Sequence, residues 1–265
     1  MNDRLAAVLA DLQAEGDQLD ALVAPLADDA SGWRRPTPAA GWDVAHQVAH
    51  LAWTDDMAVL AATDRDGWDA GVLAALEDPD GFVDAEAARG SDVPAPELLD
   101  RWRATRTRLA EVLSEVPEGT RVPWYGPPMS PTSMATARFM ETWAHARDVA
   151  AALDLELPAD DRVRHVVHLG VRTRGFAYAT RGLALPAGDV RVSVTLPSGE
   201  RVEHGAHDAV ASVTGSAHDF ALVVTQRLHP EDADLTVVGA EASEWLAIAQ
   251  AFAGPPGPGR EPSRG

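Results

Sequence analysis

The sequence predicts an α+β protein, with a four-helix bundle followed by a small α+β domain. Two observations carry that expectation. Four long runs before residue 155 repeat apolar side chains every three or four positions, the period of a helix with one buried face. From Val190 the period drops to two, as in strands that bury alternate side chains. The expected boundaries are a bundle over 1–155, a connecting helix over 156–183, a small α+β domain over 184–253 and a disordered Pro/Gly-rich tail over 254–265.

The first run, Asp3–Leu26, places Leu5, Val8, Leu9, Leu12, Leu19 and Leu22 on one face, which makes it a bundle wall. A loop with Trp33, Pro36, Pro38 and Trp42 follows, and Asp43 is suited to cap the next helix. In that helix, Val44–Leu60, one stripe carries Val44, Val48, Leu51 and Val59. A second carries His46, His50, Trp53, Met57 and Leu60, so the helix is expected to be buried on two sides. Asp64–Pro96 reads as shorter helical pieces. A third long helix starts near Glu97, carries Leu98, Trp102, Leu109 and Val112, and is stopped by Pro117 and Gly119. The loop Arg121–Pro131 holds Trp124, Tyr125 and four prolines, a rigid segment that would border a pocket or plug the core. The fourth helix is expected from Thr132 to Leu153, and another helical run covers Asp160–Leu183.

In the C-terminal part, Val190–Leu196 reads as a strand, Pro197–Ser198–Gly199 as a turn and Arg201–Glu203 as the start of a return strand. Val210–Val213 reads as a further strand. Ser216 would cap a helix bearing Phe220, Val224 and Leu228. Leu235–Val238 and Ala242–Phe252 read as a last strand and a last helix.

Composition narrows the function. The formal net charge is −19, which disfavours nucleic acid and anionic membrane surfaces as partners, since both repel an acidic protein. The chain has no cysteine and no lysine; all 22 basic residues are arginine. That excludes disulfides, thiolate metal sites, cysteine-bound iron–sulfur clusters, a cysteine nucleophile, a lysine Schiff base and a Walker-type phosphate loop. Met1–Ala10 lacks the apolar core of a signal peptide, and charges break every long apolar run, so a cytoplasmic location is expected.

Chemistry concentrates in three residues. Glu141 and His145 stand four apart in the apolar run Met134–Leu153, which puts both on one helix face. His50 lies in the second long helix, which could pack beside them. Two imidazoles and one carboxylate are the ligand set of an open catalytic metal site, most often zinc. Met134, Phe139, Met140 and Trp143 make this helix a costly place for an unpaired carboxylate. His46, four residues before His50, competes for the same role. Asp148 is expected to accept an imidazole N–H or to be a surface charge. His165, His168, His204, His207, His218 and His229 are read as structural or solvent-facing.

Gly41-Trp42-Asp43-Val44, Val48-Ala49-His50-Leu51 and Glu141-Thr142-Trp143-Ala144-His145-Ala146-Arg147-Asp148 together resemble the metal-binding domain of mycothiol-dependent maleylpyruvate isomerases, a DinB-like four-helix bundle. The resemblance covers roughly the first 155 residues. It implies a divalent metal, commonly zinc, on His50, Glu141 and His145. Relatives also end in a small α+β domain with an arginine implicated in thiol-cofactor binding, to which Arg227 corresponds. The ending Ala247–Gly254 is more similar to that of an actinobacterial subgroup of metal-binding proteins. Part of that subgroup has been grouped with wyosine-forming tRNA enzymes, but those need cysteine-bound clusters that this chain cannot build.

The resemblance implies an isomerase or transferase in which the metal activates a low-molecular-weight thiol, mycothiol, against a small-molecule substrate, with Asp148 and Arg227 as further catalytic groups. A cysteine-free chain is compatible with that, because the cofactor brings the nucleophile. Two alternatives stay open from the residues. One is a metal-dependent hydrolase with Asp148 or His46 as proton acceptor. The other is a non-catalytic metal-binding or stress-response module.

Overall fold

The computed structural model describes residues 2–263 and divides after Leu157 into two compact units. Among the described residues the first unit contains seven α-helices. Helix α1 (Asp3–Val23) begins where the Asn2 side chain accepts the Leu5 N–H at 2.8 Å, and it ends at a 3-10 turn, Ala24–Leu26, around Pro25. A single turn, α2 (Ala30–Trp33), leads to α3 (Val44–Thr63). Asp43 caps α3 in a capping box with His46, as its position before the apolar run suggested. The 64–96 segment folds into α4 (Arg65–Glu77) and α5 (Phe82–Ser91). Helix α6 (Ala95–Glu115) follows Pro94, and α7 (Pro131–Ala152) is capped by Ser130 with Pro131 in its first turn.

Helices α1, α3, α6 and α7 form the bundle. Its core joins Leu19, Val48, Leu51, Leu98, Trp102 and Val149, all at most 1% exposed. A second apolar cluster, Trp53, Met57 and Trp68, lies where α3 meets α4, with Phe82 and Trp124 packed against it. Two ion pairs cross the bundle interior: Arg138–Asp55 at 2.8 Å and Arg147–Glu15 at 2.9 Å. Among the described residues no helix is long and apolar enough to cross a membrane.

The second unit opens with a 3-10 turn (Asp161–Val163), α8 (Arg164–Arg172) and α9 (Arg174–Ala179). The run Asp160–Leu183, expected as continuous helix, breaks at Thr173. There the Thr173 N–H and hydroxyl both bond the Leu169 carbonyl, at 2.9 and 3.0 Å, and α9 starts afresh at Arg174. Residues 158–183 belong to this unit.

Strands β1 (Val190–Thr195), β2 (Arg201–His204), β3 (Ala211–Ser216) and β4 (Leu235–Val238) form one sheet in the order β2-β1-β3-β4. The central pair β1/β3 is parallel, with Val192 opposite Val213; both outer pairs are antiparallel. Gly199, at φ 91°, makes the tight return from β1 to β2.

Helix α10 (Ala217–Val224), capped by Ser216, stops short of the expected Leu228 because Gln226 turns to φ 61°. Helix α11 (Ala240–Ile248) also stops early. The Ala251 N–H leaves the helical register to bond the Val224 carbonyl at 2.8 Å.

Of the tail expected to be disordered, residues 254–263 carry no helix or strand. They are nevertheless tied down: Arg181 Nη2 donates to the Gly257 carbonyl at 3.1 Å, and the Ser263 N–H donates to Asp232 at 2.7 Å. Residues 264–265 lie outside the described residues. The fold class expected from the sequence is the one observed.

Candidate metal centre

Helices α3 and α7 run side by side and bring His50, Glu141 and His145 together. One donor atom from each lies within 4.8 Å of the others, the one such convergence of three His or acidic side chains among the described residues. Glu141 Oε2 sits 3.2 Å from His145 Nε2 and 3.7 Å from His50 Nε2, and the imidazole centroids are 4.7 Å apart. Both histidines are 8% exposed. Burial pushes the Glu141 carboxyl up, but the hydrogen bond with His145 and the charges of His145 and His50 outweigh it and hold the group well below the usual carboxylate range.

A hydrogen-bond chain fixes which nitrogen of His145 faces the carboxylate. Thr37 donates its hydroxyl to the Trp42 carbonyl at 2.9 Å, so its oxygen is free to accept from Gln47 Nε2 at 2.8 Å. That leaves Gln47 Oε1 as the acceptor in close contact with His145 Nδ1, which therefore carries a proton. Nε2 then faces Glu141 Oε2 at 3.2 Å: protonated, it donates to the carboxylate, and deprotonated, it offers a lone pair to a cation held beside the carboxylate. His50 Nε2, at 3.7 Å, is beyond hydrogen-bond range of the same oxygen, and its Nδ1 is buried without a hydrogen-bond partner. A divalent cation fits this donor set: two imidazole nitrogens and one carboxylate oxygen, with one imidazole already oriented from behind.

Trp42 covers the cluster. Its ring stacks on His145 (5.9 Å between centroids, 17° between planes) and tilts against His50 at 5.2 Å. Its indole N–H donates to Asp84 of α5 at 2.8 Å. Beneath the cluster, Arg138 Nε donates to Asp55 Oδ1 at 2.8 Å and Nη2 donates to Thr54 Oγ1 at 2.6 Å. Thr54 in turn donates to the His50 carbonyl at 2.7 Å.

The other residues singled out from the sequence stand elsewhere. His46 lies outside the cluster: its Nδ1 is 2.6 Å from Asp43, the helix cap, which ties it to the start of α3. Asp148 also lies outside the cluster and is not a surface charge, being 2% exposed; the acceptor at His145 Nδ1 is Gln47. Arg227 belongs to the second unit, where its Nη1 donates to the Thr225 carbonyl at 2.6 Å. His168 and His204 approach to 5.6 Å between centroids in that unit.

Sequence reasoning missed Gln47, Thr37 and the Arg138–Asp55 pair. The available signal was polarity out of place: Gln47 falls between the apolar positions Val44, Val48 and Leu51.

Residues 12–150 match the family described as the mycothiol maleylpyruvate isomerase N-terminal domain. Two uncharacterized proteins of Mycobacterium tuberculosis, from strains CDC 1551 / Oshkosh and ATCC 25618 / H37Rv, are each 52% identical over 252 residues, which is 95% of this chain and 97% of theirs. Among solved structures, the fold is similar to a crystal structure of the mycothiol-dependent maleylpyruvate isomerase, with TM-score 0.59 and 16% identity over 89% of this chain and 95% of that one. A histidine-to-alanine mutant of that enzyme gives TM-score 0.56 at the same identity and coverage.

Proposed function

The chain belongs to the mycothiol maleylpyruvate isomerase N-terminal domain family, and from that premise we propose that it is a metal-dependent isomerase or transferase that uses mycothiol on a small-molecule substrate. His50, Glu141 and His145 hold one divalent ion, zinc being the ion their chemistry suits best. The observation that carries this reading is the convergence of the three donors, with the His145 ring oriented by its Nδ1 contact to Gln47. An ion on three protein ligands supplies an open position that lowers the pKa of a thiol occupying it.

The chain's own residues do the rest. Gln47 holds the His145 ring in one tautomer and one orientation. Trp42 shields one face of both imidazoles and keeps bulk water from it. Asp148 and Arg227 are retained as the further catalytic and thiol-binding groups that the family resemblance implies. Both proton acceptors of the hydrolytic alternative, Asp148 and His46, lie outside the three-donor cluster.

The test is metal content by mass spectrometry on untagged protein, with His50→Ala and His145→Ala alongside. One equivalent of a divalent metal in the parent chain, lost in both variants, is the expected result. A cobalt-substituted sample should then change its visible spectrum on addition of mycothiol. An unchanged spectrum at saturating thiol would remove the thiol from the proposal, and a chain that takes up no metal after reconstitution would remove the whole of it.

A further inference from the structure

Two indoles close in the candidate ligands, and they are held in different ways. Trp53 projects from α3, its ring 5.9 Å from that of His50, and it belongs to a packed apolar cluster in which Phe82 meets it edge-on at 5.4 Å. Trp42 comes from the loop before α3 and is half-buried, yet its ring lies against both buried imidazoles.

The backbone under Trp42 is fixed. Its carbonyl accepts the Thr37 N–H at 2.8 Å and the Thr37 hydroxyl at 2.9 Å, and its N–H donates to the Ala39 carbonyl at 3.0 Å. Pro36 and Asp43 pair in an isolated antiparallel bridge at the base of the loop. Gly41, at φ 80°, supplies the left-handed step of the turn. Freedom of movement is therefore left to the side-chain bonds of Trp42.

An indole carries one donor and no acceptor, so the ring has a single polar tether, the N–H bond to Asp84 Oδ1 at 2.8 Å. Asp84 is exposed in the first turn of α5, where water competes for the same bond. The outer side of the turn is open: among the described residues no atom comes within 4 Å of the place a Cβ on Gly41 would take. The cover of the cluster is thus a mobile side chain on a rigid base, tied at its tip by one exchangeable bond.

Resting on the reading of His50, Glu141 and His145 as a metal centre, we propose that Trp42 is a side-chain gate over that centre and Asp84 its latch. Rotation of the indole away from the imidazoles admits and releases the ion while the three ligands stay in place. The role is kinetic and differs from that of Gln47, which orients a ligand. A latch that touches no ion changes entry and exit by the same factor and leaves their ratio, the affinity, alone.

The experiment follows zinc by stopped flow in the full-length chain: release from the zinc-loaded protein to excess 4-(2-pyridylazo)resorcinol, and uptake by the metal-free protein. Equilibrium affinity comes from chelator competition. Trp42→Phe keeps an aromatic ring and deletes the N–H, and Asp84→Ala deletes the acceptor, so both break one and the same bond. Each should speed release and uptake roughly three- to tenfold, the effect of losing one exposed hydrogen bond, with affinity within about twofold of the parent value. The double variant should be no faster than the faster single one. Parent rates in both single variants would overturn the gate. So would faster release with unchanged uptake, since the affinity would then fall and Trp42 would be a packing support for the imidazoles. A zinc-loaded parent chain with either result loses the gate and keeps the metal centre; a parent chain that takes up no zinc loses both.

Discussion

Arg138→Met should unfold the first unit far more easily than its distance from the candidate ligands suggests. Arg138 and Asp55 have side chains 2% and 4% exposed, and Arg138 makes two hydrogen bonds, to Asp55 at 2.8 Å and to Thr54 at 2.6 Å. Methionine fills similar volume but leaves the Asp55 charge without a partner in the bundle interior. Removing one member of a buried pair costs about 3–5 kcal/mol. For a domain of this size 1 kcal/mol shifts the midpoint by roughly 2–4 °C, so Tm should fall by roughly 6–20 °C. Urea unfolding should show a lower midpoint at an unchanged slope.

The double variant Asp55→Leu/Arg138→Met should recover most of the loss, since two apolar groups replace two desolvated charges. The pH dependence has a definite sign. Burial already pushes the Asp55 carboxyl up, against the lowering effect of Arg138, and without Arg138 it rises further. A carboxyl with its folded pKa above its unfolded value, about 3.9, favours the fold below that value and withdraws that support as pH rises through the folded one. The Arg138→Met deficit should therefore be smaller at pH 5 than at pH 8. A deficit below about 1 kcal/mol that does not vary with pH would refute the reasoning, because it would mean that Asp55 is solvated without its partner.

Two further outcomes follow from the site. Gln47→Leu removes the acceptor for His145 Nδ1–H and frees the ring to rotate, so zinc affinity measured by chelator competition should fall about 10–100-fold, while the three ligands remain; unchanged affinity would show that the Gln47 contact does not orient the ligand. Asp43→Ala deletes the α3 cap and should cost about 1 kcal/mol at neutral pH. Burial raises the Asp43 carboxyl, but hydrogen bonds from the His46 side chain and backbone N–H lower it more. With a folded value below the unfolded one, its support is present at pH above about 3.9 and is lost as pH falls through the folded value. Urea titrations of parent and variant should converge on acidification, and a gap that widens instead would reverse the assignment.

The sequence alone determined the elements whose causes are local. The three- and four-residue period of α1, α3, α6 and α7, the Asp43 and Ser216 caps and the Pro197–Gly199 turn each act within a few residues, and each was legible. Helix ends decided by distant partners were not. The α11 terminus depends on a bond from Ala251 to Val224, far away in the chain, which no window around residue 250 contains.

The same division runs through the candidate centre. The pairing of Glu141 with His145 is a helical repeat and can be read from spacing. That His50, and not His46, faces them depends on how α3 is rotated against α7, with Arg138 bridging to Asp55 and Thr54 between the two helices. Only tertiary packing sets that rotation, because spacing along α3 offers two histidines one turn apart and packing buries one of them against α7. The Gln47–Thr37–Trp42 chain that orients His145 is likewise a product of packing, joining segments whose proximity no sequence period encodes.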